Sequence, residues 1–203
     1  MRSLLLAVGL LLVALPGFAE GWRADLDALL EAEAPERVEE LLARVLAAGP
    51  DCAELSAAIA ARPFPDPGWR GARLDSILCE DGVLRPYVVL LPTGYDAARP
   101  APLFVWLHGG VGRAAIYDDP LGYATEHEIT ATAEAEGWIL LFPFGQAGAV
   151  WWDEVGMANI DAQIRLSKRR YNVDDDRVWL GGFSDGASAA WFFGMARPDD
   201  YAA

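Results

Sequence analysis

The 203-residue sequence predicts an α/β protein, a doubly wound and mostly parallel sheet preceded by a short helical segment. Three observations carry that prediction. Leu103-Phe104-Val105-Trp106-Leu107 is apolar at every position, so as a strand it needs cover on both faces, as in a parallel sheet between helices. After one predicted hairpin, apolar strands alternate with helical patterns, the order that winds helices onto both faces of a sheet. Two glycine-rich turns, His108-Gly109-Gly110-Val111-Gly112 and Gly182-Phe183-Ser184-Asp185-Gly186, follow two of those strands directly. They therefore fall at strand carboxyl ends, where open α/β sheets hold their ligands.

The N-terminus reads as an export signal. Met1-Arg2-Ser3 precedes an apolar run from Leu4 to Leu15 and a small-residue exit ending at Ala19. That run is shorter than the ~20 apolar residues that span a bilayer, so cleavage after Ala19 is expected, with no membrane anchor afterwards and a secreted or periplasmic location. Glu20, not a cysteine, stands immediately after the cut, which argues against lipidation there. The chain is 53% hydrophobic and 23% charged, a globular composition, with a net charge of −14. Removing residues 1–19 takes Arg2 with it and leaves −15. A surface that acidic repels phosphate backbones and anionic lipid, so nucleic-acid and membrane-surface roles are excluded. Cys52 and Cys79 are the two cysteines, and in an oxidising compartment they are expected to form a disulfide.

Residues 20–70 read as helices and a linker. Leu26, Leu29 and Leu30 suggest a short helix, and Val38, Leu41, Leu42, Val45 and Leu46 recur at helical spacing before the Gly49-Pro50 stop. Asp51-x-x-Glu54 resembles a capping box opening a third helix, and Pro63, Pro65, Pro67 and Gly68 then read as a linker. From residue 71 the pattern changes. Strands at Arg73–Cys79 and Arg85–Leu91 flank an Asp81-Gly82 turn. The Leu103–Leu107 strand follows, then a helix bearing Ile129, Ala133 and Ala135, and a strand from Trp138 to Phe142. An amphipathic helix with Met157, Ile160 and Ile164 leads to a strand through Val178-Trp179-Leu180 that enters Gly-x-Ser-x-Gly.

A serine on a sharp strand-to-helix turn needs glycines two before and two after it, because Cβ atoms there would collide as strand and helix close together. Ser184 is so placed, with Asp185 N–H free at the helix start to bind an oxyanion. With Leu90-Leu91-Pro92-Thr93-Gly94-Tyr95, Trp106-Leu107-His108-Gly109-Gly110 and Arg170-Tyr171-Asn172-Val173-Asp174, residues 73–203 resemble the α/β-hydrolase superfamily, within it the exported esterases and prolyl-oligopeptidase-like serine hydrolases. The resemblance implies a serine hydrolase domain over 71–203 that cleaves carboxylic esters, with peptides as the alternative substrate, without a cofactor. Ser184 is then the nucleophile. The backbone N–H groups of Asp185 and Gly110 are the oxyanion donors, with Gly109 in the same loop as second choice.

One departure stands out. The family's acid and histidine follow the nucleophile, yet only 19 residues follow Ser184, and the chain's two histidines, His108 and His127, both precede it. His108 resembles the family's structural histidine and His127 is expected at the surface. The domain is therefore expected to be incomplete at its C-terminus, a fragment inactive or nearly so by itself. An uncovered edge at Val178-Trp179-Leu180 points the same way. The rival reading is a non-catalytic binding protein on the same fold. Trp151, Trp152 and Trp191 are read as core rather than acyl pocket, and Asp174-Asp175-Asp176 as a solvated turn rather than a calcium loop.

Overall fold

The computed structural model describes residues 21–32, 34–114 and 118–202. The predicted export signal lies outside them. The chain separates into two compact units, residues 1–62 and 63–203.

The first unit holds three helices, α1 (Gly21–Glu31), α2 (Pro35–Ala48) and α3 (Cys52–Ala60). Helix α2 begins with Pro at its first turn and ends on Gly49 in the left-handed conformation (φ 70°), whose N–H bonds the Leu46 carbonyl. Asp51 and Glu54 form the reciprocal capping box at the head of α3. Trp22 and Leu26 of α1 bury against Val45 of α2, with Leu29, Leu30 and Leu55 around them.

The second unit is a five-stranded sheet, β1 (Gly71–Leu78), β2 (Leu84–Leu91), β3 (Ala101–Leu107), β4 (Ile139–Pro143) and β5 (Val173–Gly182), in the order β1-β2-β4-β3-β5. β2 runs antiparallel to both its neighbours, while β3 is parallel to β4 and β5, so four of the five strands point the same way. The Asp81-Gly82 turn closes the β1–β2 hairpin, with Gly82 at φ 78°. Near the start of β3 the register against β5 slips between Ala101 and Leu103, at Pro102, which has no N–H to give the ladder.

Helices cover both faces. Helices α6 (Glu154–Arg170) and α7 (Asp185–Ala196) lie on one side, where Ile160, Ile164, Ala189 and Phe193 meet Val89, Leu91, Leu103, Val105, Leu107, Leu141 and Val178. Helices α4 (Pro120–Glu126) and α5 (Glu128–Glu136) lie on the other, where Ala124 and Ala133 meet Val88, Leu90, Leu140 and Phe142. Alternate residues of β2 and β4 thus feed opposite cores, which is why those strands read as unbroken apolar runs. Helix α4 was not anticipated from the pattern. Its signal is Asp119-Pro120, an N-cap whose side chain accepts the Gly122 N–H, followed by proline at the first turn. Along the outer edge of β5 the Val178 carbonyl accepts the Ala202 N–H at 2.8 Å.

The expected Cys52–Cys79 disulfide is absent, and both cysteines are free. Cys52 is exposed at the first turn of α3. Cys79 is buried in the second unit, where its thiol donates to Asn159 Oδ1 at 3.2 Å, an oxygen that also accepts from Gln163 Nε2. A thiol-reactive reagent should accordingly count one fast group in the native, unreduced protein and two after denaturation. A count of zero after denaturation without reductant would restore the bridge.

Candidate active site

The approach of β5 and α7 to the end of β3 sets the geometry. Phe183 N–H donates to the Leu107 carbonyl at 3.1 Å. A Cβ on either Gly182 or Gly186 would overlap that same carbonyl oxygen, so neither position admits any other residue without moving backbone. Between them Ser184 adopts φ 53°, ψ −118°, and it is the one non-glycine residue at positive φ among the described residues. Such strain persists only where the surroundings impose it, and here it lifts the residue clear of the sheet. Ser184 is exposed and its side chain makes no cap bond to its own helix. The first N–H groups of α7 have no intrahelical acceptor, and that of Asp185 has no partner among the described residues.

The loop after β3 packs directly against this turn. A Cβ on Gly109 would lie 3.0 Å from Ser184 Cβ and 3.1 Å from the Phe183 carbonyl oxygen. Gly110 does not offer the free N–H that the sequence suggested. It donates to Asp185 Oδ2 at 2.9 Å, and Val111 N–H donates to the same oxygen at 3.1 Å. An amide already bound to a carboxylate cannot also hold a developing oxyanion, which corrects the Gly110 expectation. Gly109 N–H has no partner among the described residues.

His108 is buried to 1% exposure. Its Nε2 accepts the Gly145 N–H at 3.1 Å, so Nδ1 carries the proton and donates to the Gly109 carbonyl at 2.9 Å. Burial pushes its pKa down to about 4. His127, expected at the surface, is instead half-buried, its ring 4.6 Å from that of Trp106, 5.4 Å from Tyr123 and 5.9 Å from Phe142. Its Nδ1 accepts the Ile129 N–H and caps α5, and burial holds its pKa below the usual value. In both rings the acceptor nitrogen is occupied, so neither histidine has a lone pair for a serine proton.

No protein-family model matches the chain. A thermostable esterase superposes with a TM-score of 0.52 at 20% identity, over 64% of this chain and 39% of that one. The fluorophosphonate-binding serine hydrolase F of Staphylococcus aureus superposes with a TM-score of 0.53 at 14% identity, over 66% of this chain and 55% of its own. This chain has the α/β-hydrolase fold. The chain is also 31% identical over 110 residues to the bifunctional acetylxylan esterase/xylanase XynS20E of Neocallimastix patriciarum, 53% of this chain and 15% of that protein. It thus spans 15% of that relative and 39% and 55% of the two structures.

In this fold a cleft of about 510 Å³ opens beside Ser184, walled by Trp106, Tyr123, His127 and Phe183, with Arg113 and Glu128 also on its lining. Tyr123 reaches it from the middle of α4, the helix the sequence pattern did not reveal, and His127 from that helix's C-cap. Trp151 is fully buried and donates its indole N–H to the His108 carbonyl at 2.9 Å, while Trp152 and Trp191 are exposed. None of these three tryptophans lines the cleft. In the acidic run Asp174 accepts from Asp176 N–H and Arg177 Nε, and no group of three or more His, Cys, Asp or Glu suited to a metal occurs among the described residues.

Two measurements follow from this packing. Gly186→Ala should lower stability by about 3 kcal/mol or more in urea unfolding, because the new Cβ meets backbone rather than a movable side chain. His108 binds a proton more readily unfolded than folded, so acidification from 6.5 towards 4 should destabilise the protein by roughly 3 kcal/mol, with that contribution fully present above 6.5. His108→Gln, which keeps an acceptor and a donor but cannot titrate, should flatten the profile of unfolding free energy against pH in that window. An unchanged slope would remove His108 as its source.

Proposed function

We propose that this is an exported serine hydrolase acting on carboxylic esters through an acyl-enzyme on Ser184. The single observation that carries the reading is the Ser184 turn, a strained, exposed hydroxyl at a helix N-terminus and in contact with the Gly109 loop. Ser184 Oγ would bond to the acyl carbon, turning its carbonyl into a tetrahedral oxyanion that collapses as the bond to the alcohol oxygen breaks. The serine proton passes through a general base to the leaving alcohol, and water then returns the acid and free Ser184. The N–H groups of Asp185 and Gly109 would hold the oxyanion, each worth about 3 kcal/mol, or 10²–10³ in rate.

The base and its carboxylate partner are assigned outside the described residues, because His108 and His127 both have their acceptor nitrogens occupied. The esterase relative at 31% identity supports esters over peptides. The aromatic cleft walls suit an acyl or alkoxy group with a flat apolar part. Export rests on the Met1–Ala19 pattern, and no helix among the described residues is long and apolar enough to cross a membrane.

A non-catalytic binding role is favoured by one observation, the lack of a free imidazole lone pair beside Ser184. The product of the full gene separates the two readings. It is expected to react with a fluorophosphonate and to hydrolyse 4-nitrophenyl acetate, and Ser184→Ala should abolish the labelling and cut kcat by about 10⁶. Full-length protein that neither labels nor turns over an ester would leave the binding role. Labelling that persists in Ser184→Ala would move the nucleophile elsewhere.

A further inference from the structure

The oxyanion loop is held by Trp151 and Asp185, both distant from it in the chain, and by the ring of its own His108, and these bonds determine which amide it presents. In a trans peptide the C=O and N–H point in opposite directions, so fixing one end aims the other. The carbonyl of the His108–Gly109 peptide is tied to the buried indole of Trp151 at 2.9 Å. Its other end, Gly109 N–H, is therefore turned away from Trp151 and has no partner among the described residues. The next peptide, Gly109–Gly110, is pinned at both ends, its carbonyl by His108 Nδ1–H at 2.9 Å and its N–H by Asp185 Oδ2 at 2.9 Å. Val111 N–H adds a second bond to that oxygen at 3.1 Å. With Gly110 at φ 75°, two successive N–H groups converge on one anion, the geometry of a backbone nest.

We propose that the Asp185 carboxylate is a positioning residue that locks the Gly109–Val111 turn to the head of α7, so that Gly109 N–H and Asp185 N–H converge on one oxygen beside Ser184. The inference rests on the serine-hydrolase reading above and deepens it. One residue would then serve the site twice, its backbone N–H as oxyanion donor and its side chain as the strut that sets the opposing donor. The carboxylate lies in the first turn of α7, where a negative charge is favoured by the helix dipole. It also occupies the Gly110 N–H, so the turn can present one donor only. Without the carboxylate the Gly109–Gly110 peptide is held from the His108 side alone, and its N–H and that of Val111 are free to turn towards solvent.

The test uses the full gene product in three forms, wild type, Asp185→Ala and Asp185→Asn. Amide hydrogen exchange reads the lock directly and does not depend on activity. Gly110 and Val111 should be protected in wild type, lose at least about tenfold protection in Asp185→Ala, and recover most of it in Asp185→Asn, whose amide oxygen can accept the same two bonds. Hydrolysis of 4-nitrophenyl acetate reads the consequence. In Asp185→Ala kcat should fall about 10- to 100-fold with KM changed less than about twofold, the pattern of a loss confined to the transition state, and Asn should restore most of it. Unchanged exchange at Gly110 and Val111 in Asp185→Ala overturns the lock. Unchanged kcat overturns the positioning role, and a raised kcat would mean that the carboxylate blocks the hole. A wild type that turns over no ester sinks the serine-hydrolase reading instead, and exchange then still decides whether the lock exists.

Discussion

The carbonyl oxygen of Leu107 is the point on which the site is built. It ends β3, accepts the Phe183 N–H leaving β5, and occupies the space that a Cβ on Gly182 or Gly186 would need. Strand, turn and helix can close to that distance only if both positions are glycine, and once closed they leave Ser184 no ordinary conformation. The strain at Ser184 is thus a consequence of packing on a rigid strand end. Placement of β3 inside the sheet between β4 and β5, with Leu103, Val105 and Leu107 fully buried on one face and Phe104 and Trp106 partly buried on the other, supplies that rigidity.

Around this point the polar groups are arranged by exclusion. Burial favours the neutral imidazole of His108, and a neutral ring has one donor and one acceptor, both used on backbone. The same accounting applies to His127, whose Nδ1 caps α5 while its ring packs among Trp106, Tyr123 and Phe142. Two histidines close to a serine would ordinarily invite a catalytic assignment. Their hydrogen bonds assign them instead to holding the loop and the helix that flank the cleft. Each ring spends on structure the nitrogen that catalysis would need.

Much of the second unit could be read in one dimension. The hairpin at Asp81-Gly82, the doubly covered Leu103–Leu107 strand and the glycines about Ser184 are local signals, carried by turn chemistry, continuous apolarity and Cβ exclusion. The capping box at Asp51 and the Gly49 stop were equally plain in the first unit. Helix α4 was missed because its seven residues carry too little periodicity, although the Asp119-Pro120 cap was there to be read. The disulfide was inferred from compartment and count, and neither says where a side chain points. Cys79 points into the amide pair of Asn159 and Gln163.

By itself the sequence determined the turn at Ser184, since a serine between two obligatory glycines at a strand end is a statement about a few neighbouring backbone atoms. Only the tertiary structure decided which amide of the Gly109–Gly110 loop remains available. That choice turns on a competitor 75 residues away along the chain, the Asp185 carboxylate, and on Trp151 and His108 gripping the loop from within the core. An N–H has a single proton to share, and which acceptor reaches it is fixed by how distant segments pack.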